Sequence, residues 1–213
     1  MTGAAGPARS RRPLVLFAPG AGAPSTSAWM AAWAVRLSTL GEVVAFDYPY
    51  VREGRRAPDR LPVLVAAHRA ALEAARRDRV RRPVVLAGKS MGSRVGCHVS
   101  LEVPVDALVC LGYPLRGRGG QLREQVLLQL ETPVLFAQGT RDPLCPLDSL
   151  EAVRARMRAS SSLHRVEGGD HGLVVARRTL QPGETQEDVD RRTLEAIRAF
   201  LSERLGAHGR SPR

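Results

Sequence analysis

Three polar residues of the types that cooperate in nucleophilic catalysis occur along the chain in the order serine, aspartate, histidine. Ser90 stands in GKSMG (88–92), Asp142 in GTRDP (139–143) and His171 in GGDHG (168–172). An imidazole can take the proton of a serine hydroxyl, and a carboxylate can orient the ring and stabilise its cationic form. The pattern therefore predicts Ser90 as a nucleophile, His171 as its general base and Asp142 as the group that orients the base.

The residues around Ser90 predict a strand, a sharp turn and a helix. The apolar run 84–87 ends at Gly88, and a helical pattern begins directly after the serine. A serine at the apex of so tight a turn must adopt a positive φ angle, which is strained for a residue with a Cβ atom. Gly88 and Gly92 supply the small neighbours that such a turn needs, so we expect the Ser90 hydroxyl to project above the sheet edge.

An acyl-transfer site also needs N–H donors for the oxyanion that develops in the transition state. Met91 supplies one, because it opens the predicted helix, where the N–H groups point outward and the helix dipole is positive. The glycine-rich turn 19–24 follows the first predicted strand. We expect the second donor in this turn, with Ala21 as the candidate and Gly22 as the alternative.

Short apolar runs alternate with helical patterns along most of the chain. The predicted strands cover residues 14–18, 43–46, 84–87, 107–111, 134–137 and 162–166. This alternation predicts an α/β fold, with one parallel sheet of about six strands and helices on both faces. Ser90, Asp142 and His171 each follow a different strand, and the carboxyl ends of the strands are where such sheets form their sites. The domain is expected over residues 14–205, between flexible tails at 1–13 and 206–213.

Two local predictions concern the connections between these elements. Residues 51–62, which carry four arginines, are predicted as a loop. Asp148 and Glu151 resemble a capping box, so a helix is predicted to begin at Asp148.

His68 lies on the apolar stripe of an alanine-rich helical pattern and is predicted to be a packed core residue rather than a ligand.

Composition limits the classes of function. With 213 residues the chain is long enough for one domain with a substantial core. Aromatic residues make up 4%, too few for base-stacking platforms, and no nucleic-acid-binding motif accompanies the net charge of +11. No apolar run approaches the ~20 residues of a membrane helix, and residues 1–12 are expected to be a flexible tail rather than a signal peptide. Three widely spaced cysteines predict reduced thiols and a cytoplasmic protein.

The positive charge is carried almost wholly by arginine, and Lys89 is the only lysine. Arginines cluster in the loops after the second and fourth strands at Arg52, Arg55, Arg56, Arg60, Arg116 and Arg118. A ring of guanidinium groups at the Ser90 edge would suit an anionic substrate, such as an acyl-coenzyme A. A solvated surface is the alternative, because a second cluster is expected at the opposite edge: Arg76, Arg77, Arg79, Arg81 and Arg82.

Two other motifs compete for the same glycine-rich segments. The residues before Ser90 end like a phosphate-binding P-loop, but Pro83 stands where that loop needs its first glycine. The turn 20–25, with Asp47 after the next strand, resembles a dinucleotide fingerprint and would indicate an oxidoreductase. Ser25 replaces its third glycine, so this alternative is the weaker one. The sequence predicts neither a cofactor nor a metal.

Asp170 is the alternative to Asp142 as the acid of the triad. We rank it second, because the side chain of a residue adjacent to His171 points away from the imidazole ring.

The chain order serine, aspartate, histidine matches that of α/β-hydrolases, and further segments carry the resemblance. They are APGAGAP (18–24), FDYPY (46–50), GKSMGSR (88–94), YPL (113–115), QGTRD (138–142) and GDH (169–171). The chain resembles the α/β-hydrolase superfamily, and most of all its compact dienelactone-hydrolase-related branch, which includes testis-expressed protein 30. The resemblance implies a fold that lacks the first two strands of larger members and has no lid.

The resemblance, together with the three candidate residues, predicts a serine hydrolase that cleaves a small carboxylic ester or thioester. A relative in the same branch is a regulatory subunit of the NSL histone-acetyltransferase complex. A non-catalytic interaction module is therefore the second hypothesis, because one fold can host unrelated functions. Retention of all three catalytic residue types favours the enzyme.

Overall fold

A single parallel sheet forms the centre of the molecule. The computed structural model describes residues 12–76, 82–117 and 119–206. Within them the strands are β1 (Leu14–Ala18), β2 (Glu42–Ala45), β3 (Val84–Lys89), β4 (Ala107–Leu111), β5 (Val134–Gly139) and β6 (Ser161–Val166). They lie in the order β2-β1-β3-β4-β5-β6, and every neighbouring pair is parallel. The predicted fold class is confirmed, and each strand lies within two residues of its predicted bounds.

Helices connect the strands and cover both faces of the sheet. They are α1 (Ala28–Leu37), α2 (Pro49–Arg52), α3 (Leu61–Ala75), α4 (Met91–Glu102), α5 (Gln125–Gln129), α6 (Leu147–Arg154) and α7 (Gln186–Gly206), with a 3₁₀ turn at Arg177–Thr179. Among the described helices, none is both long and apolar enough to cross a bilayer. Parts of the predicted tails and of the second arginine cluster, residues 1–11, 77–81 and 207–213, lie outside the described residues.

Two connections differ from the prediction. The segment predicted as a loop begins inside the short helix α2, whose first residue is Pro49; the fixed φ angle of proline suits this position and its missing N–H costs nothing there. The predicted capping box at Asp148 is wrong. Helix α6 is preceded by Pro146 at the N-cap, without a side-chain cap, and Asp148 lies in the first turn, where its carboxylate favours the helix dipole.

The sheet separates two apolar layers, since alternate residues of each strand face opposite sides. Leu16, Leu86 and Phe136 pack on one side with residues from α3 to α6. Phe17 and Val85 pack on the other with residues of α1 and α7. Strands β1, β4 and β5 are buried along their whole length. This is why β1 and β4 appear in the sequence as unbroken apolar runs and why β5 is apolar up to Ala137.

His68 of α3 is fully buried in the first layer, as predicted. Its Nδ1 lies 3.1 Å from the hydroxyl oxygen of Tyr48, while its Nε2 has no hydrogen-bond partner among the described residues. Burial disfavours the charged imidazole and lowers the pKa of His68 from 6.5 to about 3. Between pH 3 and pH 6.5, His68 is therefore protonated in the unfolded chain but not in the folded one.

The His68→Leu variant should lose part of the acid sensitivity of the wild type. The free energy of unfolding falls as the pH drops below 6.5, because protonation of His68 favours the unfolded state. Between pH 7 and pH 5 this loss is about 2 kcal/mol, and the leucine variant should not show it. Urea unfolding at both pH values measures the difference. Tyr48→Phe is the control and should keep the wild-type pH slope, so equal slopes in wild type and His68→Leu would contradict the prediction.

Candidate active site

Ser90 lies on the sharp turn between β3 and α4. Its φ angle is +50° and its ψ angle is −114°, so the positive φ angle predicted for it is present. The turn is held from both sides: the N–H of Ser90 donates to the carbonyl of Leu111 at 3.0 Å, and the hydroxyl of Ser93 donates to the carbonyl of Ser90 at 2.6 Å. The surrounding structure thus stabilises a backbone conformation that is costly by itself.

Gly88 and Gly92 are required by close backbone contacts at this turn. A Cβ atom on Gly88 would lie 2.3 Å from the backbone nitrogen of Ser93. A Cβ atom on Gly92 would lie 2.4 Å from the carbonyl oxygen of Ala18, at the end of β1. The two glycines therefore allow α4 to begin directly against β1 and β3, and this contact fixes the direction in which Ser90 projects.

The structure brings Ser90, His171 and Asp142 into one hydrogen-bonded chain. The Oγ of Ser90 lies 2.7 Å from Nε2 of His171, and Nδ1 of His171 lies 2.7 Å from Oδ2 of Asp142. An ionised Asp142 accepts a hydrogen bond from the Nδ1–H group, which leaves Nε2 free to accept a hydrogen bond from the serine hydroxyl. The Asp142 side chain is fully buried, whereas 27% of the His171 side chain is exposed. This arrangement can activate Ser90 toward a substrate that approaches from solvent.

Asp170 has a different task in the same loop. Its Oδ1 accepts the N–H groups of Gly172 and Val174, at 2.7 and 3.0 Å, and so closes the turn that carries His171. The carboxylate in contact with the imidazole is that of Asp142. The geometry therefore gives Asp142 the position of the orienting acid and Asp170 that of a turn residue.

The turn after β1 lies directly beside Ser90. A Cβ atom on Gly20 would be 3.5 Å from Cβ of Ser90. In this turn the N–H of Gly22 already donates to the hydroxyl of Tyr50 at 3.1 Å, which leaves Ala21 as the better oxyanion donor of the two candidates. Met91 is the first residue of α4, so its N–H has no acceptor within the helix. Both candidate donors thus belong to segments that border the nucleophile.

Asp47, the acid of the dinucleotide-like pattern, takes part in the same turn. Its Oδ1 accepts the N–H of Ser25 at 2.6 Å, so the carboxylate ties the turn after β1 to the end of β2. This contact gives Asp47 a structural role that needs no nucleotide.

Gln138 is a site residue that the sequence reasoning missed. It is the penultimate residue of β5 and is fully buried; its Nε2 donates to Oδ2 of Asp142 at 2.6 Å and its Oε1 accepts the N–H of Tyr113 at 2.9 Å. The N–H of Leu144 donates to the other oxygen of Asp142 at 2.8 Å. Two donors besides the imidazole therefore hold the carboxylate. A polar residue ending an apolar strand, four positions before Asp142, was the available signal.

The anion-binding ring of arginines at the Ser90 edge stays a prediction. Arg55 is paired with Glu53 and Asp59, at 2.6 and 2.7 Å, so its charge is already balanced by two carboxylates. Arg118 lies outside the described residues. At the opposite edge Arg82 pairs with Glu42.

Comparisons with known proteins agree with this architecture. The family model described as "Alpha/beta hydrolase domain" matches residues 11–202. A solved structure from Coxiella burnetii, an alpha-beta serine hydrolase homologue, superposes with a TM-score of 0.70 at 18% identity, covering 88% of this chain and 85% of its own. The ferulic-acid complex of Est1E from Butyrivibrio proteoclasticus has a TM-score of 0.70 at 16% identity, with coverage of 92% and 91%.

A third structure, the esterase domain of a Rhodothermus marinus protein, has a TM-score of 0.65 at 15% identity, with coverage of 92% of this chain and 89% of that one. At these identities the three structures show a shared fold. The family model covers nearly the whole chain, and the strand order and the serine turn are consistent with it. The chain therefore belongs to the α/β-hydrolase domain family.

Proposed function

We propose that the protein is a serine hydrolase that cleaves a small carboxylic ester or thioester through an acyl-enzyme. The observation that carries this proposal is the hydrogen-bonded chain from Asp142 through His171 to Ser90, with both contacts at 2.7 Å. The residues come from three loops at the carboxyl edge of one sheet, and an interaction module has no need of that alignment. The esterases and the serine hydrolase homologue among the structural neighbours are consistent with this class.

The proposed reaction has two steps. Ser90 Oγ attacks the substrate carbonyl while Nε2 of His171 takes its proton, and the N–H groups of Met91 and Ala21 bind the oxyanion. When the tetrahedral intermediate collapses, the imidazolium returns the proton to the leaving alcohol or thiol, and the acyl group stays on Ser90. In the second step, Nε2 of His171 takes a proton from a water that attacks the acyl carbonyl and returns it to Oγ of Ser90 as the carboxylic acid leaves. Asp142 stabilises the imidazolium in both steps.

We further assign the chain to the compact dienelactone-hydrolase-related branch, with a single catalytic domain at residues 14–205. The short segment between β4 and β5 supports this assignment, since α5 is the only helix among its described residues. We also infer a cytoplasmic location. All three cysteines are buried and unpaired, and the sulfur atoms of Cys97 and Cys110 lie 4.0 Å apart without a disulfide.

A fluorophosphonate probe tests the proposal directly, because it reacts with serines that an adjacent base has activated. Intact mass should show one adduct, and peptide mapping should place it on Ser90. Ser100 of α4, whose hydroxyl donates to the carbonyl of Cys97 at 2.8 Å, should stay unlabelled. A protein that remains unlabelled while properly folded would favour the interaction module instead.

Substrates with short acyl chains should be preferred. The imidazole of His171 is partly exposed, and the described residues between β4 and β5 contain no insertion long enough for a lid, so a long chain would remain mostly in water. Each methylene that is buried contributes roughly 0.8 kcal/mol, and an open site buries few of them. We expect kcat/KM for p-nitrophenyl esters to be highest between acetyl and hexanoyl and to fall for palmitoyl. A steady rise up to palmitoyl would contradict the open site.

A further inference from the structure

Lys89, the only lysine of the chain, immediately precedes Ser90 and has no part in the reaction proposed above. Its ammonium group donates a hydrogen bond to the carbonyl oxygen of His171. The same group lies 5.2 Å from the ring centre of Trp29 in α1, a cation–π distance. Nε1 of Trp29 donates to the next carbonyl of that loop, Gly172, at 2.9 Å. Two side chains from different elements therefore bind consecutive carbonyls of the loop that carries the base.

The contact between Lys89 and His171 is enclosed by neighbouring backbone. A Cβ atom on Gly112, directly after β4, would lie 2.5 Å from the His171 carbonyl oxygen and 3.1 Å from Nζ of Lys89. On the other side, a Cβ atom on Gly20 would lie 3.3 Å from Cγ of Lys89. The lysine thus runs between the turn that carries Ala21 and the loop that carries His171.

We propose that Lys89 is a positioning residue that holds the His171 loop, and through it the imidazole, in line with Ser90. This inference rests on the proposed function, because it assigns Lys89 a role within that site. The reasoning is geometric: the bond to the His171 carbonyl fixes the backbone from which the imidazole projects. Small displacements of a reacting group slow the reaction strongly, and a shift of 1 Å can lower the rate about 100-fold.

The charge of Lys89 makes this role dependent on pH. The carboxylates that act on the ammonium are Asp142, after β5, and Asp170, after β6. His171, whose carbonyl the ammonium binds, is a third titratable residue in contact with Lys89. Burial lowers the pKa of Lys89 to about 8, and the two aspartates oppose that decrease. A neutral amine would lose the charge-assisted bond and the cation–π attraction. The loop should therefore loosen as the pH rises through about 8.

The catalytic triad by itself predicts a different pH profile. His171 must be unprotonated to act as a base, so the rate should rise with pH and then stay level. A positioning role for Lys89 adds a second limb, in which kcat/KM declines above about pH 8. A lysine that only stabilised the fold would not produce this decline in the pH profile of kcat/KM, so the decline distinguishes a positioning role from a structural one.

The test measures kcat, KM and the pH profile for p-nitrophenyl acetate in matched variants. Lys89→Met keeps the apolar stem and removes the donor; we expect kcat to fall about 10- to 100-fold with KM little changed, and the decline above pH 8 to disappear. Lys89→Arg, which stays charged, should also lack that decline and retain more activity than Lys89→Met. The control is Arg154→Met, which removes a bond of 2.7 Å to the Ser161 carbonyl at the far end of β6 and should leave kcat unchanged.

A second readout does not depend on turnover. Amide hydrogen exchange across residues 167–175 should be faster in Lys89→Met than in wild type, and Arg154→Met should not increase it. If wild type neither hydrolyses esters nor reacts with a fluorophosphonate, the proposed function fails, while faster exchange would still support the contact to the loop. Wild-type exchange in Lys89→Met, or a retained decline of kcat/KM above pH 8, would overturn the positioning role.

The proposal stays testable if Lys89→Met does not fold. Trp29→Phe keeps an aromatic ring near the ammonium but makes it smaller and removes the donor to Gly172, so it should lower kcat in the same direction and speed exchange in the same loop. Because the chain has one lysine, selective ¹³Cε-lysine labelling gives a single resonance in the wild type. The titration of this resonance is expected to have its midpoint near pH 8. A midpoint near the ordinary lysine pKa of about 10.4 would overturn the proposed pH dependence of the Lys89 contact.

Discussion

Replacing Ser90 by alanine should lower the turnover of p-nitrophenyl acetate by a factor of about 10⁴ to 10⁶, because triad members act as a unit and the loss of the nucleophile removes the covalent route. The fold should survive. Alanine keeps the Cβ atom and the positive φ angle that the turn already accommodates, and the removed hydroxyl is bonded to His171 at a partly buried position. The residual rate should be no higher than that of a site that only binds and polarises the ester.

Initial rates at saturating ester, together with thermal unfolding of the same samples, measure this effect. Ser100→Ala is the matched control: it makes the same chemical change near the far end of α4, the helix that Ser90 precedes. It removes a bond to the carbonyl of Cys97 and should keep wild-type kcat. Wild-type turnover in a folded Ser90→Ala protein would exclude the acyl-enzyme mechanism. Loss of turnover in both variants would indicate a general effect on α4.

Asp142→Asn should cost about 10²- to 10⁴-fold in kcat, because it leaves the imidazole in the wrong tautomer. Oδ2 of Asp142 accepts from both His171 and Gln138, and Oδ1 accepts from the N–H of Leu144. An asparagine must turn its NH₂ group toward one of these sides. If the NH₂ group points toward His171, it meets the Nδ1–H and the Nε2 donor of Gln138. If it points toward Leu144, it meets a backbone N–H. Either orientation therefore breaks hydrogen bonds that the carboxylate accepts.

Asp170→Asn is the comparison for this prediction, since it makes the same substitution one residue before His171. An asparagine oxygen can still accept the N–H groups of Gly172 and Val174, so kcat should change far less. Both variants are measured by kcat for p-nitrophenyl acetate over a range of pH. A larger loss in Asp170→Asn than in Asp142→Asn would reverse the assignment of the orienting acid.

Much of the fold could be predicted because it follows from local patterns. Fully buried parallel strands such as β1 and β4 appear as unbroken apolar runs, and the chain alternates between these and helical stripes. The position of Ser90 follows from the glycines that its turn requires. The pairing of Asp142 with His171 could be anticipated from a general rule, since the carboxyl ends of parallel strands meet at one edge.

The missing parts of the site depend on contacts between distant residues. Lys89 and His171 are separated by 82 positions, and nothing near either of them indicates that the ammonium reaches that carbonyl. Gln138 was overlooked because strand patterns are judged by apolar residues. Its bond to Asp142 is local, whereas its bond to the N–H of Tyr113 forms only when β4 and β5 are side by side. The predicted start of α6 was wrong for a local reason, because Pro146 occupies the N-cap position and Asp148 lies inside the first turn.

The spacing of the triad along the chain has a consequence for biosynthesis. His171 follows Ser90 by 81 residues and Asp142 by 29, and α7, which covers one face of the sheet, is made after both. A nascent chain on the ribosome carries the serine well before it carries the base. Contacts between residues distant in sequence form only when the free energy gained by packing offsets the entropy lost on closing the intervening loop. The complete site should therefore arise with the finished sheet, so an incomplete chain carries an inert serine.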